Sequence, residues 1–327
     1  GNVLIRTIFL LIALGLLYAC SDLPALRADH PLLPVRAYEQ LIVGRLDADY
    51  VGDANCLAQC HKHDEIHRDF QMSVHGEQIS PETGLPLVNC ESCHGPGSLA
   101  ILNAKENDKC DFKTLLQLEE LPAQAQSLIC LKCHSAASTP NLHYWNGSIH
   151  ASSDVSCFDC HKLHQGPQQK VSRQEMDEMC YACHINARME FAQFSRHPVR
   201  ERKMACVDCH EPHGSAQKYD LKGITVKDLC TRCHMDKQGP FVYEHADLAD
   251  NCLTCHSHHG SANNSLLRTS EPFLCLQCHA GHQDYSHPSL ATDGLKGAFY
   301  SRCTSCHSSI HGTDVPSAKG RGTFIAR

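Results

Sequence analysis

Ten times in this chain two cysteines stand close together with a histidine directly after the second. Nine of these triplets read Cys-x-x-Cys-His: Cys90, Cys93 and His94; Cys130, Cys133 and His134; Cys157, Cys160 and His161; Cys180, Cys183 and His184; Cys206, Cys209 and His210; Cys230, Cys233 and His234; Cys252, Cys255 and His256; Cys275, Cys278 and His279; Cys303, Cys306 and His307. The tenth, Cys56, Cys60 and His61, has one residue more between its cysteines. Such a triplet suits one piece of chemistry. Two thiols join a porphyrin through thioether bonds and the histidine ligates its iron, which is the attachment of c-type haem. The triplets take 20 of the 22 cysteines. A disulfide framework has no need of histidine beside every second cysteine. Zinc ribbons pair two Cys-x-x-Cys knuckles and do not require an adjoining histidine each time. The expectation is ten covalently bound haems c.

A haem iron with one histidine needs a second ligand to be closed. Ten of the 25 histidines belong to the triplets, leaving 15. Five of these precede the second triplet of a pair: His75, His150, His197, His245 and His287. Four more follow a triplet closely: His164, His213, His259 and His311. These nine are the expected distal ligands. His197 and His287 precede prolines, which hold the backbone extended and so set the side chain's direction. For the tenth iron His67 is preferred over His63, with His143, His258 and His282 as alternatives and His30 read as surface or leader. Spacing does not say which histidine serves which iron. With six methionines and none in register, Met ligation is not expected. Two histidines favour a lower potential than His/Met and leave no open site.

The elements that position these groups follow from the repeat. Triplets recur at Cys130, Cys180, Cys230 and Cys275, and again at Cys157, Cys206, Cys252 and Cys303, with steps of 45 to 51 residues. This is a tandem of two-haem modules of just under 50 residues, with Cys56 and Cys90 forming a looser first module. Positions i, i+3 and i+4 of a helical turn share a face, so each triplet fits a short helix. Ser172–Glu175 and Thr225–Asp228 have capping-box spacing before Cys180 and Cys230. Aromatics are 6% of the chain, with one tryptophan, too few for an ordinary core of this length. The expected fold class is a multihaem cytochrome c. It has short α-helices and irregular coil around the haems, almost no β-structure, and an elongated array of modules that contact mainly their neighbours.

Residues 1–20 read as an export signal: Arg6, then the apolar run 7–19, closed by Cys20. Thirteen residues are too few to span a bilayer but suit a signal-peptide core. The sequence Leu17-Tyr18-Ala19-Cys20 is similar to a lipoprotein-processing box, with Cys20 as the lipidated residue. Residues 21–50 form a leader, 51–190 an N-terminal five-haem half and 191–327 a C-terminal five-haem half. Net charge is −7, and haem propionates add to it, which excludes a nucleic-acid binder. Cys110, outside every triplet, is expected as a free or incidental thiol.

The stretches His143-Tyr-Trp-Asn-Gly-Ser-Ile-His150, Ser195-Arg-His-Pro198 and Gly239-Pro-Phe-Val-Tyr-Glu-His245 carry a family resemblance. So do Cys206-Val-Asp-Cys-His-Glu-Pro-His-Gly-Ser215 and the segment from Cys303 to Ile310-His-Gly312. Together they resemble the decahaem c-type cytochromes of the DmsE/MtrA type from about residue 51 onward. The resemblance implies closely stacked bis-histidine haems in a wire seated inside an outer-membrane β-barrel porin. The wire would face periplasmic or inner-membrane cytochrome donors on one side and an extracellular multihaem cytochrome on the other. It implies a non-enzymatic electron carrier of the periplasm and outer membrane of a Gram-negative bacterium. Three features depart from the pattern: the widened first triplet, a lipid anchor at Cys20, and Ala100 where the segment starting at Cys90 should supply a histidine. The last implies that His67 or His63 replaces that ligand. The competing readings are a periplasmic carrier serving a terminal reductase, and a multihaem reductase with one open iron.

Overall fold

The computed structural model describes residues 45–61, 65–107, 109–164, 173–245, 250–279, 302–305 and 307–315. The signal segment with Cys20, most of the leader, His63, Ser172, His282, His287 and Cys306 lie outside them. Contacts divide the chain into two compact units, residues 1–132 with 156–158, and residues 133–155 with 159–327.

The first unit holds α1 (Asp53–Gln59), α2 (Ile66–Gln71), α3 (Cys90–His94), α4 (Ser98–Asn107) and α5 (Ala123–Leu131). Local sequence explains their brevity. Asn89 caps α3, its Oδ1 accepting the Ser92 amide at 2.9 Å while Ser92 Oγ accepts the Asn89 amide at 3.1 Å. Gly95 ends the helix at φ 76°, a conformation that disfavours any residue with a Cβ. Helix α4 buries Ala100, Ile101 and Ala104 at i, i+1 and i+4, and packs against α1. The small core is Leu121, Ala125 and Ile129, four residues apart on one face, with Cys93 and Leu118 against it.

The second unit contains α6 (Ile149–Ser152), α8 (Arg173–Tyr181), α9 (Ile185–Glu190), α10 (Cys206–Cys209), α11 (Val226–Thr231) and α12 (Phe273–Leu276). Helix α7 (Cys157–Cys160) falls where the units divide. Thr225 and Asp228 form the expected capping box on α11, with both bonds at 3.1 Å. The Ser172 box lies outside the described residues. Two-residue strands β1 (Ser195–Arg196) and β2 (Gly260–Ser261) pair antiparallel, Ser195 opposite Ser261, and are the only sheet among the described residues. Gly260 is required there, because a Cβ would overlap the Glu190 carbonyl oxygen. Tyr181, Phe191 and Val199 form this unit's core with Met204.

Among the described residues the fold is therefore short helix and coil, as the composition requires. No described helix is long and apolar enough to cross a membrane. Each core cluster has only three buried members, and the most deeply buried side chains are Ser73 and Ser148. A chain with so little apolar core needs another hydrophobic mass to fold around.

Candidate haem centres

The second unit brings histidines together in a regular way. Ring centroids lie 6.0 Å apart for His150 and His184, 6.4 Å for His197 and His234, and 5.9 Å for His245 and His279. A second set follows: His161 and His213 at 6.0 Å, His210 and His259 at 6.3 Å, His256 and His311 at 6.1 Å. Each pair joins one triplet histidine to one expected distal ligand. Two metal–imidazole bonds of about 2.0–2.1 Å, plus the distance from each nitrogen to its ring centre, add to roughly 6 Å. The rings stand at the separation that one shared iron sets.

The pairs follow two rules that spacing alone left open. A histidine upstream of one triplet pairs with the histidine of the next triplet along, 34 to 37 residues later (His150 with His184). A histidine just after a triplet pairs with the histidine of the triplet two before it, 49 to 55 residues back (His213 with His161). The imidazole planes are nearly parallel in three pairs, at 15°, 27° and 14°. They are twisted in the other three, at 66°, 56° and 48°.

Hydrogen bonds fix which nitrogen would face an iron. The Nδ1 of His150 meets the Pro212 carbonyl at 2.9 Å, and that of His197 the His258 carbonyl at 2.7 Å. His210 and His256 repeat one arrangement, reaching the carbonyls of Tyr219 at 2.9 Å and Ser265 at 2.7 Å. His259 Nδ1 bonds Glu190 Oε2 at 2.6 Å. A carbonyl or carboxylate can only accept, so each Nδ1 carries the proton and each Nε2 presents its lone pair. This is how proteins orient a metal-binding imidazole and raise its basicity. Burial also pushes the pKa of His197, His213, His259 and His311 below the ordinary value, keeping these distal rings neutral. The single tryptophan, buried Trp145, lies edge-on to His213, and Phe191 packs on His259 at 4.8 Å.

The cysteines form a second pattern. In four modules the first sulfurs of the two triplets are close enough to hydrogen bond: Cys130 with Cys157, Cys180 with Cys206, Cys230 with Cys252 and Cys275 with Cys303. The hydrogen bond to Cys157 is the main force raising the Cys130 thiol, with burial behind it. Within the Cys180 pair the bond lowers Cys180 and raises Cys206. Burial first, then the neighbouring sulfur, pushes Cys230 and Cys275 up to about 12. Between modules of the second unit the next sulfurs also interact: Cys160 with Cys180, Cys209 with Cys233, Cys255 with Cys278. Consecutive anchors are thus neighbours in space, so the rings they would hold would be neighbours too.

These residues fit haem c. The triplet cysteines would hold each porphyrin and the paired histidines its iron; when bound, the group supplies a one-electron iron couple. The protein's part is to space the rings, fix the ligand tautomers and keep water from the distal imidazoles.

The first module behaves otherwise. Cys60 is joined by a disulfide to Cys110, with Cα atoms 6.0 Å apart. This corrects the expectation that Cys110 is a free or incidental thiol. The reason is tertiary: α4 packs alongside α1 with like ends together, Ser98 bonding Asp49 at the start, so the chain leaving α4 passes beside the first triplet. Ala100, where a histidine was expected by resemblance, is buried in α4. His67 lies in α2, half-buried, and His75 in the turn beyond it. His75 and His164 have partners of their own.

Sequence reasoning missed the acidic residues that seat the triplets. Asp53 Oδ1 accepts the Cys90 amide at 3.0 Å, Asp177 Oδ1 lies 3.3 Å from Cys206 Sγ, and Glu271 binds Thr304 through amide and hydroxyl at 2.8 and 2.9 Å. Each sits three or four residues before the first cysteine of a module and reaches the start of the second triplet, where the helical dipole favours negative charge. Buried Glu91 accepts amides from Val51, Gly52 and Gly97 at 2.8 to 3.2 Å. Buried Asp220 accepts those of Ser215 and Ile149 at 3.1 and 3.4 Å. The recurrence of an acid before Cys56, Cys180 and Cys275 was the available signal.

Paired imidazoles over rows of thiol anchors, in a fold with hardly any core of its own, define a multihaem c-type cytochrome. The doubled CXXCH motif family matches residues 150–189, 197–239 and 245–284. Each matched repeat opens at a distal histidine and encloses the triplet histidine it pairs with, so it is shifted by one triplet from the module read from spacing. The chain is also 36% identical over 275 residues to a protein of Shewanella baltica (strain OS185) described as "Multiheme cytochrome MtrA". That match spans 82% of this chain and 80% of the relative. The chain belongs to the MtrA-type family of multihaem cytochromes.

Proposed function

We propose that this chain is a ten-haem electron wire across the outer membrane, seated in a β-barrel porin. It takes electrons from periplasmic or inner-membrane cytochromes and passes them to an extracellular multihaem cytochrome, or runs them the other way. Each haem accepts an electron from one neighbour and gives it to the next, five in residues 51–190 and five in 191–327, and no iron carries out substrate chemistry. The distal ligands are His75, His150, His164, His197, His213, His245, His259, His287 and His311, with His67 on the iron of the first triplet. The chain reaches the periplasm by its signal segment, with Cys20 as a lipid anchor.

The observation that carries this reading is the set of six imidazole pairs, each at a spacing that would let it close an iron on both faces. Closed irons pass electrons and leave no seat for a substrate. Electron paramagnetic resonance of the oxidised protein tests it: low-spin iron throughout is expected, and a high-spin signal in the native chain points to a reductase instead. Co-purification with a porin is the expected result for the conduit, whereas a chain found wholly free in the periplasmic fraction fits the carrier to a terminal reductase.

A further inference from the structure

The widened first triplet keeps half of the usual geometry. In strict triplets the histidine amide bonds the carbonyl of the first cysteine, as His184 to Cys180 at 2.9 Å and His234 to Cys230 at 3.1 Å. In the first triplet both Cys60 and His61 point their amides at the Cys56 carbonyl, at 2.9 and 3.1 Å. The extra residue is absorbed as a single π-type widening of the turn, which brings His61 back over Cys56. Cys56 also keeps its place beside the second triplet. It is among the groups that raise Cys90, as Cys157, Cys180, Cys252 and Cys303 act on their partners. His61 packs against Phe112 at 5.8 Å, two residues past Cys110. Only Cys60 has left the pattern, and its sulfur is spent on Cys110.

We propose that the haem of the first triplet is attached through a single thioether, at Cys56, with His61 on its iron, while Cys60 and Cys110 form a permanent disulfide that takes over the role of the second anchor. This rests on the haem c reading and deepens it at one site. The Cys56 S–H adds across one porphyrin vinyl group, with no net change of oxidation state, and the other vinyl group stays intact. The Cys60 and Cys110 thiols lose two electrons and two protons to a thiol–disulfide oxidant of the exported compartment. The bridge ties the segment carrying the haem to the chain that follows α4. Its Cα separation lies within the usual range for a disulfide.

Proteolysis of the holoprotein without reductant, followed by mass spectrometry of the peptides, tests the assignment. The expected species carries haem on Cys56 and is disulfide-linked through Cys60 to the Cys110 peptide. Haem bonded to both Cys56 and Cys60, or a first triplet without haem, overturns the proposal. The nine strict triplets are the internal control: absence of haem from them defeats the haem c reading itself. The double variant Cys60→Ser, Cys110→Ser is expected to keep ten haems per chain, and loss of one overturns the proposal. Cys56→Ser is expected to fall to nine, and an unchanged count overturns it.

Discussion

The repeats of the second unit and the first triplet with its surroundings solve the same problem in different ways. In the repeats, residues 150–284, two thiols and two imidazoles are set out per haem, and main-chain carbonyls orient several of the imidazoles. Around the first triplet the chain is held by ordinary protein means: the Cys60–Cys110 bridge, the buried Glu91 carboxylate and the Ala100, Ile101 and Ala104 face of α4. Around the first triplet the protein supplies conventional stabilisation.

Four measurements sharpen or break this contrast. The largest effect is expected from His213→Ala, which opens the His161 iron: haem number stays the same and one haem equivalent turns high-spin in the paramagnetic resonance spectrum. A fully low-spin variant breaks the pairing rule. In the first unit, Glu91→Ala leaves three backbone amides without their acceptor, at about 1–3 kcal/mol for each one kept from water. Denaturant unfolding should show a loss of several kcal/mol, and a negligible change would mean that the first unit does not depend on this carboxylate. Gly260→Ala forces a Cβ into the Glu190 carbonyl where β1 and β2 meet, an overpacking that costs about 1–3 kcal/mol. It should also disturb His259, whose Nδ1 is held by the Glu190 side chain, visible as a change at one haem in the spectrum. The smallest effect belongs to Thr225→Ala, which removes the α11 cap at about 1 kcal/mol, read as a lower thermal midpoint with unchanged haem number.

Much of the site was legible in the sequence because its chemistry is local. A Cys-x-x-Cys-His turn declares its ligand set within five residues, and every distal partner in the six pairs was already among the histidines standing in register with the triplets. The Thr225 box was legible for the same reason. The pairing was not, since the partners are 34 to 55 residues apart and meet only once the backbone is arranged. The fate of Cys110 was hidden likewise: nothing near residue 110 points to Cys60, and their meeting depends on α4 packing alongside α1. Glu91 sits inside a triplet, between Cys90 and Cys93, and the Val51, Gly52 and Gly97 amides converge on it only in the folded chain.

The ligand rule also gives the array a polarity. By the observed pairs, each matched repeat would close one iron by itself, as His150 with His184, and would take the ligand for its other iron from the chain that follows, as His161 from His213. Severing the chain between residues 190 and 196 would therefore strip one ligand from the upstream piece and none from the paired irons downstream. The array resembles a polymer with one sticky end. Inserting a whole repeat would orphan no iron, so haem number would grow by two with each step of about 48 residues.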